Sequence, residues 1–115
     1  MRGLLLGIGV PLLLLLAIQL VPYGREHAKP VAGRAVAWDS PATLALARRA
    51  CFDCHSNETR WPWYANVAPF SWAVEFDVEA ARTIVNYSEW NQQYRLAGYS
   101  GVRTRDGNMP PYKYR

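Results

Sequence analysis

The chain has 115 residues and a formal net charge of +4, with five tryptophans, seven tyrosines and two cysteines. Because its N-terminal segment is too apolar for a soluble core, the remainder provides one small domain. A domain that short usually needs a disulfide, a metal or another filler to complete its core. The basic residues form no dense run interleaved with stacking aromatics, which excludes a nucleic-acid-binding protein.

The N-terminal segment is expected to cross a membrane. Residues 4–22 carry no charge and would span roughly 28 Å as a helix, close to one hydrocarbon core. We therefore expect a single-pass transmembrane signal anchor over residues 1–22. The alternative is a cleaved signal peptide, but its small-x-small site would have to be Ala35-Val36-Ala37, which lies far downstream. Basic residues flank both ends, so charge alone does not set the orientation.

A linker and then a helical domain should follow the anchor. Residues 23–39 combine glycine, proline and basic residues without an apolar period, which predicts a linker. The domain is expected over residues 40–115. Its first helix should begin at Ser40-Pro41, because serine caps a helix and proline fits its first turn, and should run to about residue 54.

The rest of the domain also has helical character. A second helix is predicted over residues 71–85 from an apolar stripe of Val74, Val78, Ala81 and Val85 opposite Glu75, Glu79 and Arg82. A third, shorter helix is expected between Ser88 and Gly98, and residues 98–108 are expected to form a loop because three glycines interrupt them. No strand alternation is visible, so the predicted fold is small and all-α.

The cysteines form the most specific motif in the chain. Cys51 and Cys54 are its only cysteines, and with His55 they make a C-x-x-C-H pattern. At a helix end, positions i and i+3 place both sulfurs on one side, where they can add to the two vinyl groups of a haem. The next residue then offers its imidazole to the iron as an axial ligand. The motif predicts one covalently bound c-type haem per chain.

Three other uses of the motif fit the sequence less well. A thioredoxin-like site would lie in a βαβ pattern, which the sequence does not show. A structural zinc site needs four ligands, and the motif supplies three. A simple disulfide would leave His55 without a role. Because c-type haem is attached outside the cytoplasmic membrane, we expect the domain on the outer, periplasmic side of a bacterial membrane.

Met109 is the expected second iron ligand. It is the only methionine besides the initiator, and Pro110 and Pro111 stiffen the chain directly after it. A sulfur held in this way is suited to the sixth iron position, although a gap-filling methionine is the alternative. His55 and Met109 are therefore the predicted metal ligands.

Further contacts to the haem are expected from residues that follow the motif and combine charge with N–H and O–H donors. These candidates for the propionates and the porphyrin edge are Arg60, Trp61, Trp63 and Tyr64. Ordinary packing is the alternative for all four. The other ring nitrogen of His55 needs an acceptor, for which the carbonyl of Pro62 or Pro69 is expected.

These residues resemble a known family, the bacterial haem-binding domain family of membrane-anchored monohaem cytochrome c-like proteins. The matching segments are residues 50–64, Ala68-Pro69, Ser71-Trp72, residues 86–90 and Met109-Pro110. The resemblance implies a cytochrome c-like all-α fold, covalent haem through Cys51 and Cys54, His55 as the proximal ligand and Met109 as the distal one. It implies no particular redox partner.

The chain also departs from that family. Such proteins usually carry a helix leading into an acidic turn between Trp90 and Met109, where this chain has three glycines. The family then continues into another loop and a final helix, whereas this chain stops at Arg115. A truncated C-terminus is expected on that ground.

The expected function is a membrane-tethered single-electron carrier, because a six-coordinate His/Met iron changes oxidation state with little rearrangement. Its partner would be a membrane redox protein, and no catalytic residue is required, so an enzyme is not expected. A haem enzyme or a gas or redox sensor would need an open sixth position and a distal acid–base residue. His27 is the sole free histidine for that role. An assembly or anchoring subunit forms a third class that the sequence does not separate from a carrier.

Overall fold

The computed structural model describes residues 3, 5–27, 34–90 and 98–114. Within these ranges the regular elements are helices and turns, and no strand occurs. The all-α class is confirmed for this part of the chain. The chain divides into two compact units: unit 1 comprises Met1–His27 and Trp61–Phe76, and unit 2 comprises Ala28–Arg60 and Asp77–Arg115.

Unit 1 begins with a π-helical turn over Leu5–Gly9, followed by helix α1 over Val10–Ile18. The large apolar side chains of α1 are exposed around the helix. No helix in the described ranges has both the length and the apolar composition needed to cross a membrane. A 3₁₀ turn over Trp63–Asn66 and the first part of a long helix complete the unit.

Two close contacts hold the chain after α1 within unit 1. The Gln19 side chain accepts a hydrogen bond from the Ala68 amide at 3.0 Å and donates one to the Ala68 carbonyl at 2.8 Å. Gly24 is buried with φ +79°, and a Cβ there would collide with the Ser71 carbonyl. Glycine is therefore required at residue 24 by both its backbone conformation and its neighbour. The segment predicted as a linker is thus ordered at its start.

Helix α2, Pro41–Ala50, begins where the sequence predicts. The Ser40 side chain accepts a hydrogen bond from the Thr43 amide at 3.1 Å, and Pro41 occupies the first turn. The expected continuous helix to residue 54 is wrong, because Cys51 leaves helical geometry at φ −124° and ψ −32°. A separate one-turn helix α3 follows over Phe52–His55.

The long helix α4 spans Phe70–Ile84, close to the predicted 71–85. Val78 and Val85 of the expected apolar stripe are buried. Glu75, expected on the polar side, is only 5% exposed. An apolar stripe with helical periodicity predicts the buried face of a helix, but it does not predict which polar residues beside that face become buried.

The region predicted as a loop over residues 98–108 contains a helix, α5, over Ser100–Arg105. Gly101 is exposed with open space around it, and a glycine there costs only about 1 kcal/mol of helix propensity. The hydroxyl of Tyr87 lies 3.1 Å from the Ser100 hydroxyl at the start of α5. A 3₁₀ turn over Tyr112–Tyr114 follows. The predicted third helix falls mainly on residues 91–97, outside the described ranges.

The segment before α2 is hydrogen-bonded to other residues of unit 2. The Val36 amide donates to the Tyr87 carbonyl at 3.1 Å, and the Trp90 amide donates to the Arg34 carbonyl at 2.8 Å. These bonds lie beside the turn that follows α4. Residues 34–38 therefore form part of the domain.

Candidate functional site

The two cysteines of the motif lie at the junction of α2 and α3 in unit 2. Both are half-buried with free thiols. Burial raises the pKa of the Cys51 and Cys54 thiols, and the charges of Asp53 and Asp77 raise that of Cys54 further. Attacking cysteines of thiol-redox enzymes have lowered pKa values. The environment of these thiols is unlike that of a thioredoxin-type site.

The imidazole of His55 is fixed by backbone carbonyls of α4 and of the residue after it. Its Nδ1 lies 3.1 Å from the Ala81 oxygen and 3.1 Å from the Val85 oxygen. Since a carbonyl can only accept, Nδ1 carries the proton in the neutral ring, and Nε2 is the nitrogen left with a lone pair in that tautomer. The expectation that Pro62 or Pro69 supplies the acceptor is wrong.

The backbone of His55 is held as well as its ring. Its carbonyl accepts a hydrogen bond from the Tyr87 amide at 2.8 Å, and its own amide donates to the Cys51 carbonyl at 2.9 Å. The chain on both sides of α3 thus restrains the histidine. A histidine held at ring and backbone presents Nε2 in one defined direction.

Tyr87 is the centre of an aromatic cluster beside the motif. Its ring stacks on Phe52 at 5.8 Å and on Trp90 at 6.2 Å between centroids. Trp38 lies tilted at 5.3 Å, and His55 meets Tyr87 edge-on at 6.4 Å. Burial raises the pKa of the Tyr87 hydroxyl. The cluster packs one flank of the motif with rings in favourable offset and edge geometries.

A buried polar network joins the loop after His55 to the turn after α4. The Asn86 side chain donates to the Asn57 side-chain oxygen at 3.0 Å, and the Asn57 amide donates to the Ser88 hydroxyl at 3.0 Å. The Ser88 amide donates to the Asn86 side-chain oxygen at 3.0 Å, and the Asn57 side chain also donates to Glu89. Buried polar groups that satisfy one another in this way specify one geometry.

Arg82 adds a second connection between α4 and the same loop. Its Nε donates to the Ser56 carbonyl at 2.9 Å, and its Nη2 donates to the Thr59 hydroxyl at 3.1 Å. Ser56 is fully buried, and its hydroxyl donates to the Phe52 carbonyl at 2.8 Å. The loop that follows the motif is therefore anchored along its length.

Arg60 pairs with Asp53, which lies inside the C-x-x-C-H motif. Its Nε donates to Asp53 Oδ1 at 3.1 Å, and its Nη2 donates to Oδ2 at 2.8 Å. The hydrogen bond from Arg60 lowers the pKa of Asp53. Both side chains are exposed, so the pair itself contributes little to stability. The predicted contact of Arg60 with a haem propionate stays a prediction.

An open depression of about 360 Å³ lies on this side of unit 2. The residues that line it are Arg48, Arg49, Phe52, Asp53, Glu58 and Arg60. Arg48 pairs with Glu58 across it at 3.3 Å. Its surface is therefore mainly charged.

The predicted aromatic contacts belong to unit 1. Trp61 stacks on His27 with 3.9 Å between ring centroids and 4° between the planes. Trp63 is 80% exposed and meets Tyr64 edge-on at 5.9 Å. The structure therefore divides the predicted site residues, with Trp61, Trp63 and Tyr64 in one unit and the others in unit 2. Their roles toward a haem stay predictions.

Met109 belongs to unit 2 together with the motif. It lies half-buried in the turn after α5, and its amide donates to the Arg103 carbonyl at 3.1 Å. A cis peptide bond joins it to Pro110. The sequence did not indicate the helix that precedes this turn.

The described ranges contain no ligand set for a structural zinc site. No group of three or more His, Cys, Asp or Glu side chains in residues 3, 5–27, 34–90 and 98–114 is placed to hold a metal ion. Cys51, Cys54 and His55 lie within those ranges and do not form such a group.

Several residues that support the candidate site are not predicted by the sequence. The carbonyls of Ala81 and Val85 have no signal in the sequence, since every residue carries one. The only sequence signal for Asn57, Asn86 and Ser88 is that they lie inside segments that support the family resemblance. The contacts of Lys113 and Tyr114 with Asp77 have no signal in the sequence.

Comparison with known proteins identifies the chain at the family level. The sequence model of the family described as "Haem-binding domain" matches residues 13–115. No match was found among curated proteins or among solved structures. The family match covers both the C-x-x-C-H motif and Met109, and most of the chain. The protein therefore belongs to the haem-binding domain family and binds haem.

Proposed function

We propose that the chain holds its haem covalently, with thioether bonds to Cys51 and Cys54 and with His55 as an axial iron ligand. The observation that carries this proposal is the orientation of the His55 ring. Two carbonyls accept from Nδ1, so Nε2 keeps its lone pair. A neutral imidazole held by its other nitrogen is the form that binds iron.

The two thiols fit the same group. Cys51 and Cys54 are separated by one short turn, and both thiols are free and partly accessible. Attachment would add each thiol across a vinyl double bond, with a C–S bond formed and the thiol proton passed to the neighbouring vinyl carbon. His27, the other histidine, instead stacks on Trp61 with its Nε2 buried. That environment favours His55 as the ligand.

Met109 is assigned the second axial position, and the function is single-electron transfer in a cytochrome c-like domain. When bound, the haem supplies an iron that gains or loses one electron. Restraint of His55 and Met109 by the chain would limit rearrangement between the two oxidation states. Met109 is half-buried and tethered through its amide to Arg103, which supports that role.

The carrier is proposed to act at the outer face of a bacterial cytoplasmic membrane, with a membrane redox protein as its electron donor or acceptor. The outer face is proposed because c-type haem is attached to proteins outside the cytoplasmic membrane. The uncharged residues 4–22 and the exposed leucines of α1 support membrane attachment.

The covalent link is tested by substituting both cysteines. In Cys51→Ala/Cys54→Ala, denaturing gels stained for haem peroxidase activity should lose the signal, because no thioether remains to hold the group. The single variants should retain one thioether and remain stained, with a shifted pyridine haemochrome band. Undiminished staining of the double variant would overturn attachment through these two cysteines while leaving haem binding itself intact.

A further inference from the structure

The short segment that carries Met109 is held at both of its ends within unit 2. Upstream, the Asn108 and Met109 amides both donate to the Arg103 carbonyl, at 2.9 and 3.1 Å. Downstream, the turn Tyr112–Tyr114 is tied to the side chain of Asp77 on α4. The two anchors confine the methionine between them.

The downstream anchor is a two-donor clamp on one carboxylate. Lys113 Nζ lies 2.8 Å from Asp77 Oδ1 and 2.6 Å from Oδ2, and the Tyr114 hydroxyl donates to Oδ2 at 2.6 Å. Partial burial opposes ionisation of Asp77, but the hydrogen bonds from both residues and the charge of Lys113 together lower its pKa. The carboxylate is therefore charged at neutral pH and strengthens both bonds.

Asp77 and the groups that hold His55 occupy the same stretch of chain. Ala81 lies four residues after Asp77, and Val85 four residues after Ala81, so the three follow one another at single-turn spacing. The carbonyls of Ala81 and Val85 hold the His55 ring. The supports of both proposed iron ligands are thus built on consecutive turns of one element.

The exposure of the clamp distinguishes a positioning role from a purely stabilising one. The Lys113 side chain is 60% exposed and that of Asp77 is 21% exposed, so the ion pair adds little to global stability. Its effect is local, because Met109 lies only four residues from Lys113, a reach of at most about 14 Å. Losing the clamp would free the far end of the methionine segment without unfolding the domain.

We propose that Asp77 is a positioning residue for the second iron ligand: by clamping Lys113 and Tyr114 it holds Met109 against the haem iron. This inference rests on the proposed ligation by Met109. It adds that the strength of the iron–sulfur bond is controlled from α4, the element that also orients His55.

The test compares Asp77→Asn with wild type as the complete, haem-loaded protein. The ferric sample is mixed with cyanide at concentrations where the binding rate no longer rises, because that plateau measures how often the sulfur leaves the iron. We expect the plateau rate to increase about threefold, the size of effect that an exposed ion pair supports. The near-infrared sulfur-to-iron band should weaken, while haem staining and far-ultraviolet circular dichroism stay unchanged.

Matched variants separate the clamp from general damage. Asp39→Asn removes an exposed carboxylate elsewhere in unit 2 and should leave the plateau rate at the wild-type value. Exchange of the charges in Asp77→Lys/Lys113→Asp should restore much of the wild-type rate, a rescue that a role in folding alone would not give. Tyr114→Phe removes one hydroxyl and should produce a smaller increase.

The outcomes distinguish this inference from the proposed function. A wild-type protein without the near-infrared band would overturn both methionine ligation and the clamp. A wild-type band that Asp77→Asn leaves at full strength, with an unchanged cyanide rate, would overturn the clamp alone. If Asp77→Asn fails to accumulate, Lys113→Met and Tyr114→Phe decide the matter, and wild-type rates in both would overturn the clamp.

Discussion

The ring of His55, the proposed iron ligand, is oriented by backbone groups. Two backbone carbonyls hold Nδ1, and the Tyr87 amide holds the His55 carbonyl. The ring is therefore oriented by backbone groups of α4 and of the residue after it. Met109 has less support, since its amide is tied to Arg103 and its segment to Asp77. If both residues bind iron as proposed, the Met109 sulfur should dissociate more easily than the His55 nitrogen.

Removal of the Met109 side chain decides between a carrier and an open haem site. In Met109→Ala the near-infrared sulfur-to-iron band should disappear and the reduction potential should fall, because a thioether favours ferrous iron. Affinity for carbon monoxide or cyanide should appear at the vacated position. Absorption spectra and a redox titration measure these changes.

Tyr112→Ser is the matched control for that experiment, because Tyr112 lies in the same segment and is highly exposed. It should leave the band and the potential unchanged. A wild-type protein that is already high-spin and binds those ligands readily would contradict the carrier and favour a sensor or enzyme with an open position.

At the scale of elements, the motif and α4 are joined by a buried polar network rather than by apolar packing alone. Asn57, Asn86 and Ser88 are all at most 6% exposed, and their hydrogen bonds connect the loop after α3 to the turn after α4. A network of this kind fixes the distance between His55 and the carbonyls that hold it.

Asn57→Ala should destabilise the haem-loaded protein by about 2 kcal/mol, because it leaves the Asn86 amide buried without its acceptor. Denaturant unfolding followed by tryptophan fluorescence measures the free energy of unfolding. Asn66→Ala, at an exposed position in the turn Trp63–Asn66, should change that free energy by no more than about 0.5 kcal/mol. Equal effects of the two variants would show that the network does not support the fold.

At the scale of the whole molecule, helix α1 is the part proposed to attach the protein to a membrane. The leucines of α1 are exposed around the helix, as expected for a surface that lipid covers. The formal charge of +4 is small and gives no strong preference for a charged partner.

We expect the haem-stained protein to stay in carbonate-washed membranes and its intact mass to include residues 1–22. Leu13→Arg/Leu16→Arg should move it to the soluble fraction, because each arginine in the apolar segment costs about 2.5 to 3.5 kcal/mol. Leu46→Arg, at an exposed leucine of α2, should not. A mature N-terminus beyond residue 22 would instead show that the segment is a removed signal.

The amino-acid sequence alone determined those features that depend on residue type and short spacing. The C-x-x-C-H pattern predicts haem binding because two cysteines three positions apart and an adjacent histidine suit covalent attachment, and haem binding itself is confirmed by the family match. The start of α2 could be predicted because the Ser40 cap and Pro41 both act within the first helical turn. The span of α4 follows from its apolar period.

The tertiary structure decided what depends on partners distant in the chain. It determined which carbonyls hold His55, since any residue supplies a carbonyl and only the packing of α4 selects Ala81 and Val85. A helix over Ser100–Arg105 forms despite its glycine, next to a hydrogen-bonded contact with Tyr87 that local propensity does not encode. The clamp joins Asp77 to Lys113 and Tyr114, which lie 36 and 37 positions later in the sequence. Such contacts arise only once the chain has folded.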